Sequence, residues 1–242
     1  PDNVRLYLLS NFQHAGGNPN LAVPGSNDLC ANPTNPNYHG PTHRALITAL
    51  DAWADRGQAP PPSRYPQVGD GTLVSIDQYA ADFPQIPGTA ITKVVNELSL
   101  VDFGPWFGSA GGFLTRIPPS LGPEYTVLVP IADEDGLNPV GIRPVEVRVP
   151  LGTNLGWNVR ADGRRVGNLC GLTGSFIPFA KTEAEREILG DPRLSLEERY
   201  TNHQGYVEAV RHATSDLVRE RFLLAEDAER FIQQAERGNV LR

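Results

Sequence analysis

The stretch V-R-L-Y-L-L-S-N-F-Q-H-A-G-G, residues 4–17, runs from apolar residues through a short polar turn to one histidine and two glycines. Val4 to Leu9 is mostly apolar without strict alternation, which predicts a strand covered on both faces, as in a parallel sheet. Parallel sheets gather ligands beyond the C-terminal ends of their strands. His14 therefore stands where a general base is useful, and Ala15-Gly16-Gly17 leaves the backbone free to turn. A satisfied structural histidine near a strand end is the plainer alternative.

The chain of 242 residues is long enough for one large domain, or two small ones, with a sizeable core. Hydrophobic residues at 40% and charged residues at 20% describe a globular chain, which sets aside disorder, collagen and coiled coil. A net charge of -7 argues against nucleic acid or an anionic membrane as the main partner, since both call for a basic face. No apolar run is long enough to span a bilayer. Residue 1 is proline and methionine is absent, so we expect a processed product or an excerpt. With the start missing, the lack of a signal peptide says nothing about secretion; localisation stays open, leaning towards a secreted or periplasmic setting. Cys30 and Cys170 have no histidines at zinc-ligand spacing. They either close one long-range disulfide or remain two buried thiols, and spacing does not decide between these.

Outward from His14, residues 16–41 form a long loop rich in Gly, Asn and Pro. Leu46, Ala49, Leu50 and Trp53 then predict one helix face, with Pro41 in the first turn and Gly57 as C-terminal cap. From Gly71 to Thr153 the chain turns irregular. Short strands are predicted at Leu73–Ile76, Tyr125–Val129 and Ile142–Val149 between Pro- and Gly-rich turns, an excursion of the size used for lids and substrate walls. The last third is helical: Thr182 with Glu185 has capping-box spacing, and helical period persists from Tyr206 to Ala235.

Two serine-hydrolase readings of His14 compete. In one it is the triad base. In the other, His-Ala-Gly-Gly imitates an oxyanion-hole segment, which demands a G-x-S-x-G elbow downstream. Ser109 has Phe107, and Ser175 has Thr173, where the first glycine belongs, so the base reading survives and its partners are expected upstream. His39 and His43 read as polar surface or capping residues, and His203 and His212 as structural. Asp133-Glu134-Asp135-Gly136 offers alternate oxygens before a glycine but lacks the closing glutamate of a calcium loop. Gly171–Phe179 reads as a packed segment, and Asp191-Pro192-Arg193 with Glu197–Tyr200 as a salt-bridged helix entry.

With these residues in view, the chain resembles the C-terminal part of a large family of bacterial α/β-hydrolase-domain proteins. The likeness is carried by Leu6–His14 and by Arg44-Ala45-Leu46 with Ala49-Leu50 and Trp53. It continues through Gly57 with Ala59-Pro60-Pro61, Gly141-Ile142-Arg143, Val149-Pro150, Gly156-Trp157-Asn158, Gly174–Phe179 and Glu198-Arg199-Tyr200. The resemblance implies a serine ester hydrolase with a Ser-His-acid triad, of which only the histidine maps here, at His14.

The expected fold class is α/β: the C-terminal portion of an α/β-hydrolase fold, its last core strand plus helices, with an irregular Pro/Gly-rich β-containing insertion. Residues 1–60 would end the hydrolase core, 61–178 form the insertion and 179–242 the final helices, one domain completed by an upstream segment or chain. That segment and a small-molecule ester are the expected partners, with no nucleic acid and no transmembrane segment. No cofactor and no metal are expected. Trp106, Phe107 and Trp157 are candidates to line the substrate wall, though each could equally be core. The rival function is a non-catalytic module that binds a ligand or partner, stabilised by calcium at Asp133 and Asp135.

Overall fold

A computed structural model describes residues 3–14, 17, 28–161 and 167–242; residues 1–2, 15–16, 18–27 and 162–166, and with them the expected Ala15-Gly16 turn and most of the long loop, lie outside the described residues. Leu6 to Ser10 is extended and runs between two later stretches of the chain, parallel to both. Leu8 N donates to Arg64 O at 2.8 Å and Arg64 N to Leu6 O at 2.9 Å. On the other side Ser10 N donates to Ile142 O at 3.0 Å and Ile142 N to Leu8 O at 2.7 Å. Over these residues the strand finds both neighbours within the chain. Tyr7 and Leu9 pack on the main core, while Val4 and Leu6 stay half exposed.

Helix α1, Gly40–Arg56, begins on Pro41 and ends on Gly57 in the left-handed region, φ 67°. Its buried face is Ala45, Ala49 and Ala52, with Leu50 turned outward. That corrects the expected Leu-rich stripe: small residues let the helix approach closely, and Arg44 clamps it by a bidentate pair (3.0 and 2.6 Å) to the buried Asp227.

The section after α1 is built of short pieces, among them β1 (Leu73–Val74), α2 (Ile76–Asp82), β2 (Ser99–Asp102), α3 (Trp106–Ser109), β3 (Ser120–Glu124) and β4 (Val129–Pro130). β1 pairs with β4 and β2 with β3, both antiparallel. The β2–β3 arm carries exposed apolar residues, including Trp106, Phe113, Ile117 and Leu121. The strand expected at Ile142–Val149 is a single bridge at Ile142 followed by the one-turn helix α4, Val145–Arg148. Pro144 explains the difference: it has no N–H for a ladder and its fixed φ suits a helix start. The i,i+4 pair Val145 and Val149 then meets the core.

β5 (Gly152–Leu155) and β6 (Ser175–Pro178) form an antiparallel pair in which all four β5 residues are buried, together with Ser175 and Ile177 of β6. Short helices α5 (Glu183–Leu189) and α6 (Leu196–Tyr200) lead to α7 (His203–Arg219) and α8 (Ala225–Arg237). Thr182 caps α5 by accepting from Glu185 N. The reciprocal capping box lies one helix later, between Ser195 and Glu198. The main core joins α4, α7 and α8 through Val145, Val207, Val210, Leu217, Phe222 and Phe231; a smaller one gathers Phe83, Ile86, Leu155 and Ile177. Among the described residues no helix is long and apolar enough to cross a membrane.

Cys30 and Cys170 are joined in a disulfide, 140 residues apart in sequence. The bond ties the loop before α1 to the segment leading into β6, where Thr34 and Ser175 also bridge. Closing so long a loop restricts the unfolded chain strongly. Replacing both cysteines by serine is expected to lower stability by about 2–4 kcal/mol, read as a fall in the urea midpoint. An unchanged midpoint would show that the loop is held by its other contacts alone.

Candidate active site

The segment that carries His14 is fixed from below by buried amides. Asn11 has φ 60°, which an asparagine tolerates better than most residues. Its Nδ2 donates to Asn154 O (2.6 Å) and its Oδ1 accepts from Asn138 N (2.9 Å). Its carbonyl accepts from both Asn35 Nδ2 (2.9 Å) and Asn37 Nδ2 (3.0 Å). Two residues on, the buried Gln13 accepts from Gly174 N at 2.8 Å. A Cβ on Gly174 would sit 2.4 Å from Leu155 O and 2.9 Å from Gln13 Cβ, and one on Gly156 would sit 2.8 Å from Phe12 O. Only glycines let the loop settle this close. With Asn11 and Gln13 turned in, His14 is turned out, and its ring is exposed.

Among the described residues no serine hydroxyl and no carboxylate is hydrogen-bonded to the His14 ring. The nearby Ser10 is fully buried and its hydroxyl donates to Val140 O. Ser109 donates to Pro105 O within the exposed α3, and the buried Ser175 donates to Trp157 O at 2.8 Å. None of these hydroxyls is presented for attack.

His39 departs from its expected surface or capping role. It occupies the N-cap position of α1 but makes no side-chain cap bond. Its ring lies among Phe12, Tyr38 and His43, 4.5 Å from the His43 centroid, and burial followed by the His43 charge holds it below the usual imidazole range. His203 bonds Val240 O at 2.9 Å through Nδ1, and His212 lies on the surface beside Glu208. The acidic turn is engaged internally: Asp133 accepts from the backbone of Asp135 and Leu137, and Asp135 pairs with Arg199. Among the described residues no group of three or more His, Cys, Asp or Glu is placed to hold a metal ion.

Beside the His14 segment lies a cavity of about 360 Å³. Leu8, Asn11 and Phe12 form one wall; Tyr79, Val129, Ile131 and Trp157 form others. Its size and mostly apolar lining are those of a small-molecule site. Trp157 lines this cavity and also packs on the smaller core, whereas Trp106 and Phe107 sit on the exposed arm and are not part of the cavity lining. Burial pushes the Tyr79 phenol up to about 12, so it meets a ligand as a neutral hydroxyl. The asparagine staples were missed from sequence, although the run Asn32-Pro33-Thr34-Asn35-Pro36-Asn37 carries them in plain view. Read as loop composition, these residues gave no hint that their amides converge on Asn11.

A family described as an alpha/beta hydrolase domain matches residues 2–233 of the chain. Comparison with curated proteins and with solved structures returns no match.

Proposed function

The chain belongs to this alpha/beta hydrolase domain family, and on that footing we propose that it supplies the triad histidine of a serine carboxylic-ester hydrolase. The observation that carries the reading is the exposed His14 ring on a loop pinned by Asn11 and Gln13, next to an apolar cavity. His14 takes the proton from a serine hydroxyl as its oxygen attacks the ester carbonyl carbon. The tetrahedral intermediate collapses, and the protonated ring returns that proton to the departing alkoxide. Water, deprotonated by the same ring, then releases the acyl group as the acid. The nucleophile and the acid belong to an upstream segment or a partner chain. Support for such a partner comes from the half-exposed Val4 beside Ile47 and Leu50 of α1, an apolar strip at the start of the strand. The disulfide favours an oxidising compartment.

The cavity walls fit an ester with an apolar acyl or alcohol part, with the 61–178 section as its cover. The rival reading, a calcium-stabilised binding module, loses its metal because Asp133 and Asp135 are already engaged. Hydrolysis of a series of p-nitrophenyl esters by the full-length protein tests the proposal. Turnover that is abolished by a fluorophosphonate is expected; no turnover at any acyl length contradicts it.

A further inference from the structure

A second, smaller pocket lies apart from the His14 cavity, and we propose that it binds a small organic ammonium ion, a primary amine cation with a short apolar stem. This rests on none of the reasoning about His14. The pocket has a volume of about 70 Å³ and is walled by Val149, Leu151, Phe176, Val210 and Phe231. Glu146 of α4 lines it, with both carboxylate oxygens enclosed and without a hydrogen-bond partner from any other residue. Asn37 Oδ1 and Asn154 Oδ1 line the same pocket and are likewise enclosed without a partner. The orientation of Asn37 is set by its Nδ2, which donates to Asn11 O. Buried polar groups are nearly always paired, so several orphans converging on one space call for an occupant.

Every orphan here is an acceptor, so the missing partner is a donor. An ammonium group offers three N–H bonds and a charge that matches one carboxylate. No lysine or arginine lines the pocket. Of the neighbouring arginines, Arg143 donates through Nη2 to Val147 O and Arg148 to Glu220, and neither lines the pocket. Tyr206 is the other titratable group of the lining, and burial then the Glu146 charge push its phenol up to about 12. Burial pushes the Glu146 carboxyl up to about 7, as befits an acid with no cation beside it. A hard metal ion would want six or more oxygens, including water, which these aliphatic and aromatic walls do not provide. A water needs about 10–15 Å³ of such space, so the pocket has room for an ion of up to about five to seven heavy atoms.

Calorimetric titration of the protein with n-propylammonium chloride at pH 7, in two buffers of different ionisation enthalpy, tests this. Saturable binding to one site is expected, with release of about half a proton, because Glu146 titrates at about 7 and the cation draws it into the ionised form. Glu146→Gln should weaken binding at least tenfold and remove the proton release. Should that variant fail to fold, the infrared band of the protonated Glu146 carboxyl in the unmodified protein provides the readout: it should vanish on saturation with the amine. Absence of saturable heat in the millimolar range, undiminished binding by the variant, persistence of the band, or binding of calcium chloride in place of the amine would each overturn the proposal.

Discussion

Replacing His14 by alanine in the full-length protein is expected to lower kcat for an activated ester by about 100- to 10,000-fold, the range that a positioned general base contributes. KM should change little, because the apolar cavity is walled by Phe12, Tyr79 and Trp157 and His14 is not part of its lining. The urea midpoint should also hold, since the imidazole is exposed and its loop is fixed through Asn11 and Gln13. The contrast with Gln13 makes the result specific. Gln13→Ala leaves the buried Gly174 N–H without its acceptor, an expected loss of about 1–3 kcal/mol of stability. Loss of turnover without loss of stability is thus the signature of His14 alone. Turnover unchanged in His14→Ala would remove the histidine from the chemistry.

Arg193→Ala should be the most destabilising single change in the last third of the chain, costing about 3–5 kcal/mol. The guanidinium is almost fully buried, with its side chain 2% exposed and that of Asp191 5% exposed. It donates to both Asp191 oxygens (2.9 and 2.6 Å), to Thr153 Oγ1 (2.9 Å) and to the carbonyls of Ile177 and Pro178. It therefore ties the helix entry to both strands of the β5–β6 pair, and it also stacks on Phe179. Truncation leaves Asp191 as a buried charge without a counterion, which is the costly outcome. Acid sensitivity should move as well. Burial pushes the Asp191 carboxyl upward, but the hydrogen bonds and charge of Arg193 outweigh it and hold the group below the usual carboxylate range. A depressed folded pKa adds stability above the unfolded value, about 3.9, and that stability is lost as pH falls through the folded value. Urea unfolding at pH 7 should show the loss in Arg193→Ala, with a smaller difference between the two proteins at strongly acid pH. A loss below about 1 kcal/mol would place the pair among ion pairs of little consequence.

What the sequence revealed, and what it hid, follows from the range of the interactions. Local signals were readable. Pro41 and Gly57 bracket α1, Thr182 caps α5, and the apolar run at Leu6–Leu9 is an extended segment with parallel neighbours. The helix-entry charges at Asp191, Arg193 and Glu198 are ion-paired as their spacing suggested. Misread stretches were those decided by distant partners. Ile142–Val149 alternates like a strand, yet Pro144 and the packing of Val145 against α7 turn it into a helix. Leu50 has the right spacing for a core stripe but faces outward, because the alanines of α1 fit the core better. The amides that support His14 come from residues 35, 37 and 154, and a periodicity read along the chain has no means to show that they meet.

The family match places this chain among alpha/beta hydrolase domains; the role proposed for His14 awaits one direct measurement. That measurement is fluorophosphonate labelling of the native full-length protein, followed by identification of the labelled peptide. A single labelled serine on a segment or chain upstream of residue 1, with labelling greatly slowed in His14→Ala, is the predicted result. Label on a serine within residues 3–242, or labelling at an undiminished rate without His14, would contradict it.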